Sequence, residues 1–494
     1  MSTFQSLLQG VKLLDSRGLD FPVTGLHYDS RQVQPGNIFV CIQGYRTDGH
    51  QYIQDAASRG ALGFVIEKNV MVPAGLSYAR VENSRLALAE MAANFYGHPS
   101  RSLSLIGVTG TNGKTTTTHL IEAVLRARGE TTGLIGTIWN KIGDKRLPVE
   151  RTTPESLDLQ SILREMAVAG VGSAAMEVSS HALYLDRVAA CEFDVGVFTN
   201  LTQDHLDFHT NFERYLAAKM RLFEGLGKER TKQRPCYAVV NVDDPAGQEI
   251  RKKTAVPVIT YGIREQANVK AQNIRLSAAG SSFNVIYDHE SIPVTISLPG
   301  EFNVYNSLAA ISVGLQEGVT VSVLQDALRK IKGVSGRFEP VNEGQNFTVV
   351  VDYAHTPDGL ENVLHTARQI TSGRLITVFG CGGDRDAGKR PLMGKISGES
   401  SDYSVLTSDN PRTEDPDKII KQIEDGIREI GDVHYTIIQD RYEAIRHALH
   451  YAREGDFVVI AGKGHETYQN LGDKVIPFDD RQVAKEIITK EICS

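Results

Sequence analysis

The 494-residue chain is too long for one hydrophobic core and has room for about three domains of ordinary size. Its 41% hydrophobic and 23% charged residues are a globular composition, and no apolar run is long enough to cross a bilayer. A net charge of −7 argues against nucleic acid as the main ligand, although local arginines and backbone N–H groups can still hold a small anion.

The opening residues, Met1-Ser2-Thr3-Phe4-Gln5, lack the basic and then apolar regions of a secretory signal. Five cysteines, at 41, 191, 236, 381 and 493, form no CxxC pair and no zinc-like spacing. Reduced thiols in a cytoplasm are therefore expected. The first hundred residues mix short apolar runs with turns, as in residues 37–42 after Pro35-Gly36. From 103 the pattern sharpens: an apolar run at 103–108, a Gly/Thr-rich turn, then a helical segment over 115–128. Two further apolar runs end in polar residues, one at Glu177 and one at Thr199-Asn200, as strands do that deliver chemistry at their carboxyl ends. Beyond 336 the alternation restarts. Strands are expected at 348–352, 375–379, 403–406 and 457–460, with helices through 369 and over 442–453. The pattern divides the chain at about 100 and 336 into an amino-terminal domain, a central nucleotide domain and a carboxy-terminal α/β domain.

The strongest local signal is Gly107-Val108-Thr109-Gly110-Thr111-Asn112-Gly113-Lys114-Thr115-Thr116. Glycines let a backbone turn tightly so that its N–H groups face phosphate oxygens, and the following helix adds its positive end. Lys114 is placed to reach the β- and γ-phosphates, and the Thr115 hydroxyl to ligate Mg²⁺. Val108 stands where the strict pattern has glycine, so the loop is a variant. Gly380-Cys381-Gly382-Gly383 is not a dinucleotide fingerprint, because Asp384-Arg385-Asp386 follows where a small helix-opening residue belongs.

Glu177 sits where a nucleotidase keeps the acid that serves its magnesium, although a strand-end carboxylate facing water is equally compatible with its position. His205-x-Asp207-x-His209 suggests a two-metal hydrolase, but the further His or Asp clusters such a site needs are not found. Magnesium prefers oxygen, so residue chemistry leaves His205 open as a ligand. Lys219 reads by default as a solvated helix lysine.

Gly110-Thr111-Asn112-Gly113-Lys114-Thr115-Thr116, Glu177-Val178-Ser179-Ser180-His181, Asn200-Leu201-Thr202-Gln203-Asp204-His205 and Tyr353-Ala354-His355-Thr356-Pro357, in this order, resemble the Mur ligase family. The resemblance runs from Asp29-Ser30-Arg31 to Gly462-Lys463-Gly464-His465-Glu466. It implies three α/β domains: a UDP-binding domain over 1–100, a P-loop ATPase-type parallel sheet with helices over 101–335, and a Rossmann-like amino-acid domain over 336–494. Within the family the sequence is similar to members that extend a UDP-linked muramoyl dipeptide, UDP-N-acetylmuramoyl-L-alanyl-D-glutamate. The resemblance makes Ser30 a UDP contact, and Thr152, Thr153, Ser179 and Arg187 contacts of the dipeptide substrate. Asn303 and Arg337 become nucleotide contacts, and Lys219 the lysine the family carbamylates. Carbamylation turns an ammonium into a carboxylate, an oxygen ligand suited to magnesium. The metal set is then Thr115, Glu177, His205 and carbamylated Lys219. Leu185 departs from the pattern, since relatives often carry a glutamine there that contacts the dipeptide.

The amino acid added is read from Asp409-Asn410-Pro411-Arg412. Diaminopimelate differs from lysine by a second amino-acid head, and its extra carboxylate suits a bidentate arginine. Asp409 and Asn410 can meet the distal ammonium. The tetrapeptide resembles the family's diaminopimelate motif, and Arg385, Gly462 and Glu466 match its remaining contacts. The bland alternative is an Asn-Pro turn with an exposed arginine. The expected reaction is ATP-dependent amide formation through an acyl phosphate, by a monomer that inserts into no membrane. A lysine-adding member of the family, folylpolyglutamate synthase and a P-loop ATPase switch or binding module are the rival readings.

Overall fold

The computed structural model describes residues 2–44, 47–228 and 230–493, and the backbone alone at 206 and 207. Among the described residues the strands gather into three main sheets formed by successive stretches of chain, giving a three-domain α/β architecture. The first has five strands. Gly25–His27, Asn37–Val40, Gly63–Ile66 and Ser77–Val81 run parallel, and Leu13–Arg17 closes one edge antiparallel. The edge strand is exposed along its length, whereas Asn37–Val40 and Gly63–Ile66 are buried throughout, as befits central parallel strands covered on both faces.

The middle sheet has eleven strands, and its centre positions the chemistry. Ser104–Thr109 lies between Ser173–Glu177 and Val195–Phe198, parallel to both. All three are fully buried, so their near-continuous apolar runs are what a doubly covered parallel sheet requires. Register aligns Glu177 with Val108 and Phe198 with Thr109, so three strands release their polar successors at one edge. That is the crevice at the carboxyl ends of parallel strands where α/β proteins bind ligands. The helix expected over 115–128 forms as Lys114–Ala127 and packs against the apolar helix Glu301–Gln316. The sequence reading did not anticipate the antiparallel extension Val269–Ser277, Gly280–Tyr287 and Glu290–Ile296. Its outer strand alternates buried and exposed residues, one face on the core and one in water.

The third sheet has six strands. Thr348–Asp352, Phe457–Ala461, Leu375–Phe379, Tyr403–Leu406 and Tyr435–Ile437 lie parallel in that order. Three expected strands match residue for residue, and the fourth extends to Ala461. The expected helix over 442–453 is Arg441–Tyr451, because the Asp440 carboxylate caps its start and Ala452 turns extended. Helix Pro357–Ile370 starts with proline at its first turn and the Thr356 hydroxyl accepting from Gly359 N–H, a strong N-terminal signal. No described helix is long and apolar enough to cross a membrane.

Candidate active site

The phosphate loop leaves Thr109 and turns through Gly110 and Gly113, both at positive φ. A Cβ on Gly113 would strike the Asn306 side chain of the packed helix, so the turn needs glycine for space as well as for torsion. Lys114 Nζ folds back to donate to the carbonyls of Gly110 at 2.9 Å and Thr111 at 2.8 Å. Burial holds its ammonium below the usual lysine range, although Glu177 and Asp204 pull the other way. Asn112 N–H donates to Asn200 Oδ1 at 2.9 Å, and the Asn112 side chain donates to Asp358 of the C-terminal domain. Thr111 Oγ1 lies 3.1 Å from the Tyr215 hydroxyl, and Thr116 is buried beneath the loop.

Glu177 does not face water; it is 1% exposed. Its Oε2 accepts from Thr115 Oγ1 and Thr137 Oγ1, each at 3.0 Å, and its Oε1 accepts from Thr137 N–H at 2.8 Å. Arg337 crosses from the C-terminal domain to donate to Thr115 Oγ1 at 3.0 Å. Asn303 stands one step back: it donates to Pro299 O at 2.8 Å and accepts from Asn306, the residue under Gly113.

Lys219, on helix Phe212–Gly225, is buried rather than solvated. Its Nζ donates to Gly110 O at 2.7 Å and lies 4.4 Å from the Tyr215 ring centre. Burial, reinforced by nearby Lys114, drives its ammonium well below the usual lysine range. The His205 ring lies 6.1 Å from the same Tyr215 ring and 4.6 Å from His181, with Nε2 3.3 Å from Asp204. His205 sits at positive φ, a backbone setting uncommon for a non-glycine residue. A hard divalent cation fits this donor set: Glu177 and Thr115 offer oxygens beside the phosphate loop, and a neutral buried Lys219 amine is the form able to take up CO₂. The described residues contain no group of three or more His, Cys, Asp or Glu arranged for a metal. The Asp207 side chain of the His205-x-Asp207-x-His209 pattern lies outside the described residues, while His209 Nε2 contacts Ser180 Oγ at 2.9 Å.

Thr152, Thr153, Ser179 and Arg187 form one cluster next to Glu177. Thr137 Oγ1, whose proton goes to Glu177, lies 3.1 Å from Thr152 Oγ1 and accepts from it; Thr153 Oγ1 donates to Glu177 O at 2.8 Å and accepts from Ser179 N–H at 3.1 Å. Arg187 donates to Thr153 O at 3.2 Å and pairs with buried Glu155 at 3.3 Å. Glu155 also takes Arg85 from the first domain at 3.1 Å. Ser30 is buried in its own domain, in a turn capped by Asp29. Nearby Tyr28 joins the central domain by donating to Asp158 at 2.6 Å. Leu185 is half-buried just past helix Ser180–Tyr184.

In the C-terminal domain the predicted residues converge. Asn410 Nδ2 donates to Glu466 Oε2 at 2.9 Å, and a Cβ on Gly462 would lie 2.6 Å from Asp409 Oδ2. A Cβ on Gly382 would meet the Arg412 guanidinium at 2.8 Å and the Cγ of Arg385 at 3.9 Å. Arg412 is not a loose turn residue: it is half-buried at positive φ and donates to Gly383 O at 2.6 Å. Pro411 is buried, and Arg385 remains exposed. The sequence reading missed Thr137, Glu155, Asp358 and Lys463. Glu155 directly follows Thr152-Thr153-Pro154, Asp358 directly follows Tyr353 to Pro357, and Lys463 lies inside Gly462 to Glu466; only Thr137 stood apart from every such segment. A cavity of about 470 Å³ lined by Arg101, Arg221 and Arg230 lies outside these clusters, its arginines engaged by Glu192, Asp186 and Asp194.

A phosphate loop in the crevice of a parallel sheet, with a separate α/β domain reaching its threonine through Arg337, defines a phosphate-using enzyme of the three-domain ligase kind. Family models described as Mur ligase family catalytic domain, Mur ligase middle domain, and Mur ligase glutamate ligase domain match residues 22–96, 108–314 and 336–464. The chain belongs to the Mur ligase family. It is 48% identical over 474 residues to a UDP-N-acetylmuramoyl-L-alanyl-D-glutamate–2,6-diaminopimelate ligase of Syntrophomonas wolfei, covering 96% of each chain. Its identity to the protein of the same name from Geobacillus thermodenitrificans is 50%, again over 96% of each. A solved structure of a ligase of that name superposes with a TM-score of 0.70 at 34% identity, over 99% of this chain and 98% of the other.

Proposed function

We propose that this ligase uses ATP to add meso-diaminopimelate to UDP-N-acetylmuramoyl-L-alanyl-D-glutamate, acting as a monomer in the cytoplasm on a peptidoglycan precursor. The observation that carries the reading is the convergence of Arg385 and Arg412 on Gly382, on loops shared with the Asn410–Glu466 pair. The Arg412 guanidinium beside Gly382, with the Arg385 stem next to it, suits the second carboxylate of diaminopimelate, which lysine lacks. With domain limits near 100 and 336, this reading gives the UDP moiety, ATP and the amino acid to the three domains in chain order.

The substrate's γ-glutamyl carboxylate attacks the γ-phosphorus of ATP. An acyl phosphate forms as the bond to the ADP oxygen breaks. Lys114 and Arg337 supply positive charge to the phosphoryl oxygens during transfer. Thr115, Glu177, His205 and a carbamylated Lys219 are the residues that would hold Mg²⁺, whose charge offsets that of the phosphates when bound. Thr152, Thr153, Ser179 and Arg187 orient the muramoyl dipeptide beside Glu177, and Ser30 holds the UDP end. Asn303 supports the nucleotide through Asn306. The diaminopimelate amine then attacks the acyl carbon and phosphate departs. Its proton must be taken up, by a carboxylate near the site or by His355. Burial and neighbouring Lys389 hold its ring neutral, with its pKa lowered to about 4. Nδ1 is 2.7 Å from the Tyr353 carbonyl, which fixes the tautomer and leaves Nε2 as the acceptor.

The test is phosphate release with ATP, Mg²⁺ and the UDP-muramoyl dipeptide, adding meso-diaminopimelate or L-lysine in parallel. Release that requires both the dipeptide and diaminopimelate is expected. Release with lysine alone would move the chain to the lysine-adding class, and release indifferent to either amino acid would make it an ATPase switch.

A further inference from the structure

Lys463 is fully buried between Gly462 and Gly464 on the loop after strand Phe457–Ala461. Its ammonium donates to Asn410 Oδ1 at 3.3 Å and pairs with Glu466 Oε2 at 3.1 Å, with the Tyr468 ring centre 5.5 Å away. Asn410 Oδ1 also accepts from Asn470 N–H at 2.8 Å. An ammonium and a backbone N–H can only donate, so together they fix which end of the Asn410 amide is oxygen. The Nδ2 end must then face Glu466, where one N–H is used at 2.9 Å and the second is left over. Glu466 Oε2 takes both Lys463 and Asn410, while among the described residues Oε1 has no donor. The loops carrying Asn410 and Glu466 therefore present a donor and a carboxylate oxygen side by side, so Asn410 offers a donor and not the acceptor an ammonium would need. The pair is the complement of an amino-acid head, whose carboxylate accepts and whose ammonium donates.

We infer that Lys463 is a positioning residue for the amino-acid substrate: acting through Asn410 and Glu466, it fixes the donor–acceptor pair that receives the substrate's zwitterionic head. The inference rests on the reading of this domain as the amino-acid site. It assigns Lys463 no contact with the substrate and none with ATP.

The experiment compares wild type with Lys463→Met and Lys463→Arg by steady-state kinetics, varying each substrate in turn. The amino acid varied is whichever of meso-diaminopimelate and L-lysine the wild type adds, so a wrong substrate assignment shows in the wild type and leaves the inference to be judged on the variants. Lys463→Met is expected to raise the KM for the amino acid about tenfold or more, with the ATP KM and kcat changed less than about threefold. Lys463→Arg keeps the buried charge but displaces it, so a smaller rise in the same KM is expected, and this variant carries the test if the methionine variant does not fold. Adding Glu466→Gln to Lys463→Met should cost less than the two single effects combined, since Lys463 acts through Glu466. An unchanged amino-acid KM in Lys463→Arg, equal losses for all three substrates, or fully additive effects in the double variant would each overturn the inference.

Discussion

At the scale of single residues, Lys219 and Glu177 carry the sharpest difference between what a sequence displays and what a fold does with it. A helix lysine in sequence is a solvated charge, whereas Lys219 is buried against Gly110 O and the Tyr215 ring with its ammonium strongly disfavoured. The unfolded chain binds that proton more tightly, so unmodified Lys219 lowers stability below its folded pKa, and the cost lifts as pH rises toward the ordinary lysine value. In CO₂-free buffer, Lys219→Met should therefore raise Tm by about 2–4 °C while ligase activity falls about a hundredfold or more. Thermal melts and phosphate release check both, and a lower Tm would show that the charged lysine stabilises its site. The motif residues of the phosphate loop, Glu177 and Asp409 to Arg412 were legible because their chemistry is written in contiguous segments. Thr137, and the role of Lys463 within its segment, were not: each owes its place to a neighbour far away in sequence, Thr137 to Glu177 and Lys463 to Asn410.

At the scale of elements, the junction between the phosphate loop and helix Pro357–Ile370 is where two domains meet. Asn112 donates to Asp358 and Arg337 to Thr115, so the nucleotide loop is held from the C-terminal side at two points. Burial raises the Asp358 carboxyl above its ordinary pKa, which marks a tie removed from water. A hydrogen bond to a charged group is worth roughly 1.5–3 kcal/mol, enough to shift an open–closed balance about tenfold or more. Asp358→Ala should increase the radius of gyration of the substrate-free protein in small-angle scattering, with a Tm change within about 2 °C. An unchanged radius would mean that the Arg337 contact alone sets the arrangement. The strands of the C-terminal sheet were legible nearly to the residue, because fully buried parallel strands read as unbroken apolar runs between turns. The antiparallel extension Val269–Ser277 to Glu290–Ile296 was not, since its first and last strands carry exposed residues among buried ones and the pairing is broken by a bulge between Gln272 and Arg275.

At the scale of the whole molecule, buried titrating groups set how the protein tolerates acid. His355 and His465 are held neutral by burial, their pKa values lowered to about 4 and about 3, while burial pushes the Asp352 carboxyl up to about 6. Between the ordinary histidine value of 6.5 and these folded values the unfolded chain takes up the histidine protons first, so their contribution is lost as pH falls through that window. Asp352 acts oppositely, binding its proton first in the folded state below about 6. Among these three groups, two protons against one give a loss on the order of 1 kcal/mol per pH unit near pH 5, and His181, lowered by burial to about 3, adds to it in the same direction. Urea denaturation at pH 7 and pH 5 should show this fall, and flat stability would mean that the rings open to water before they titrate. The domains are tied together around the central one, Arg85 of the first reaching Glu155 and Arg337 of the third reaching Thr115, and the proposed function makes this assembly add diaminopimelate in preference to lysine. The most direct test of that account is product identity. Purified protein is given ATP, Mg²⁺ and UDP-N-acetylmuramoyl-L-alanyl-D-glutamate with equal meso-diaminopimelate and L-lysine, and the UDP-linked product is identified by mass spectrometry. The account predicts a product carrying diaminopimelate alone, formed about a hundredfold more slowly by Arg412→Ala. A lysine-bearing product, or a diaminopimelate product made equally well by Arg412→Ala, would contradict it.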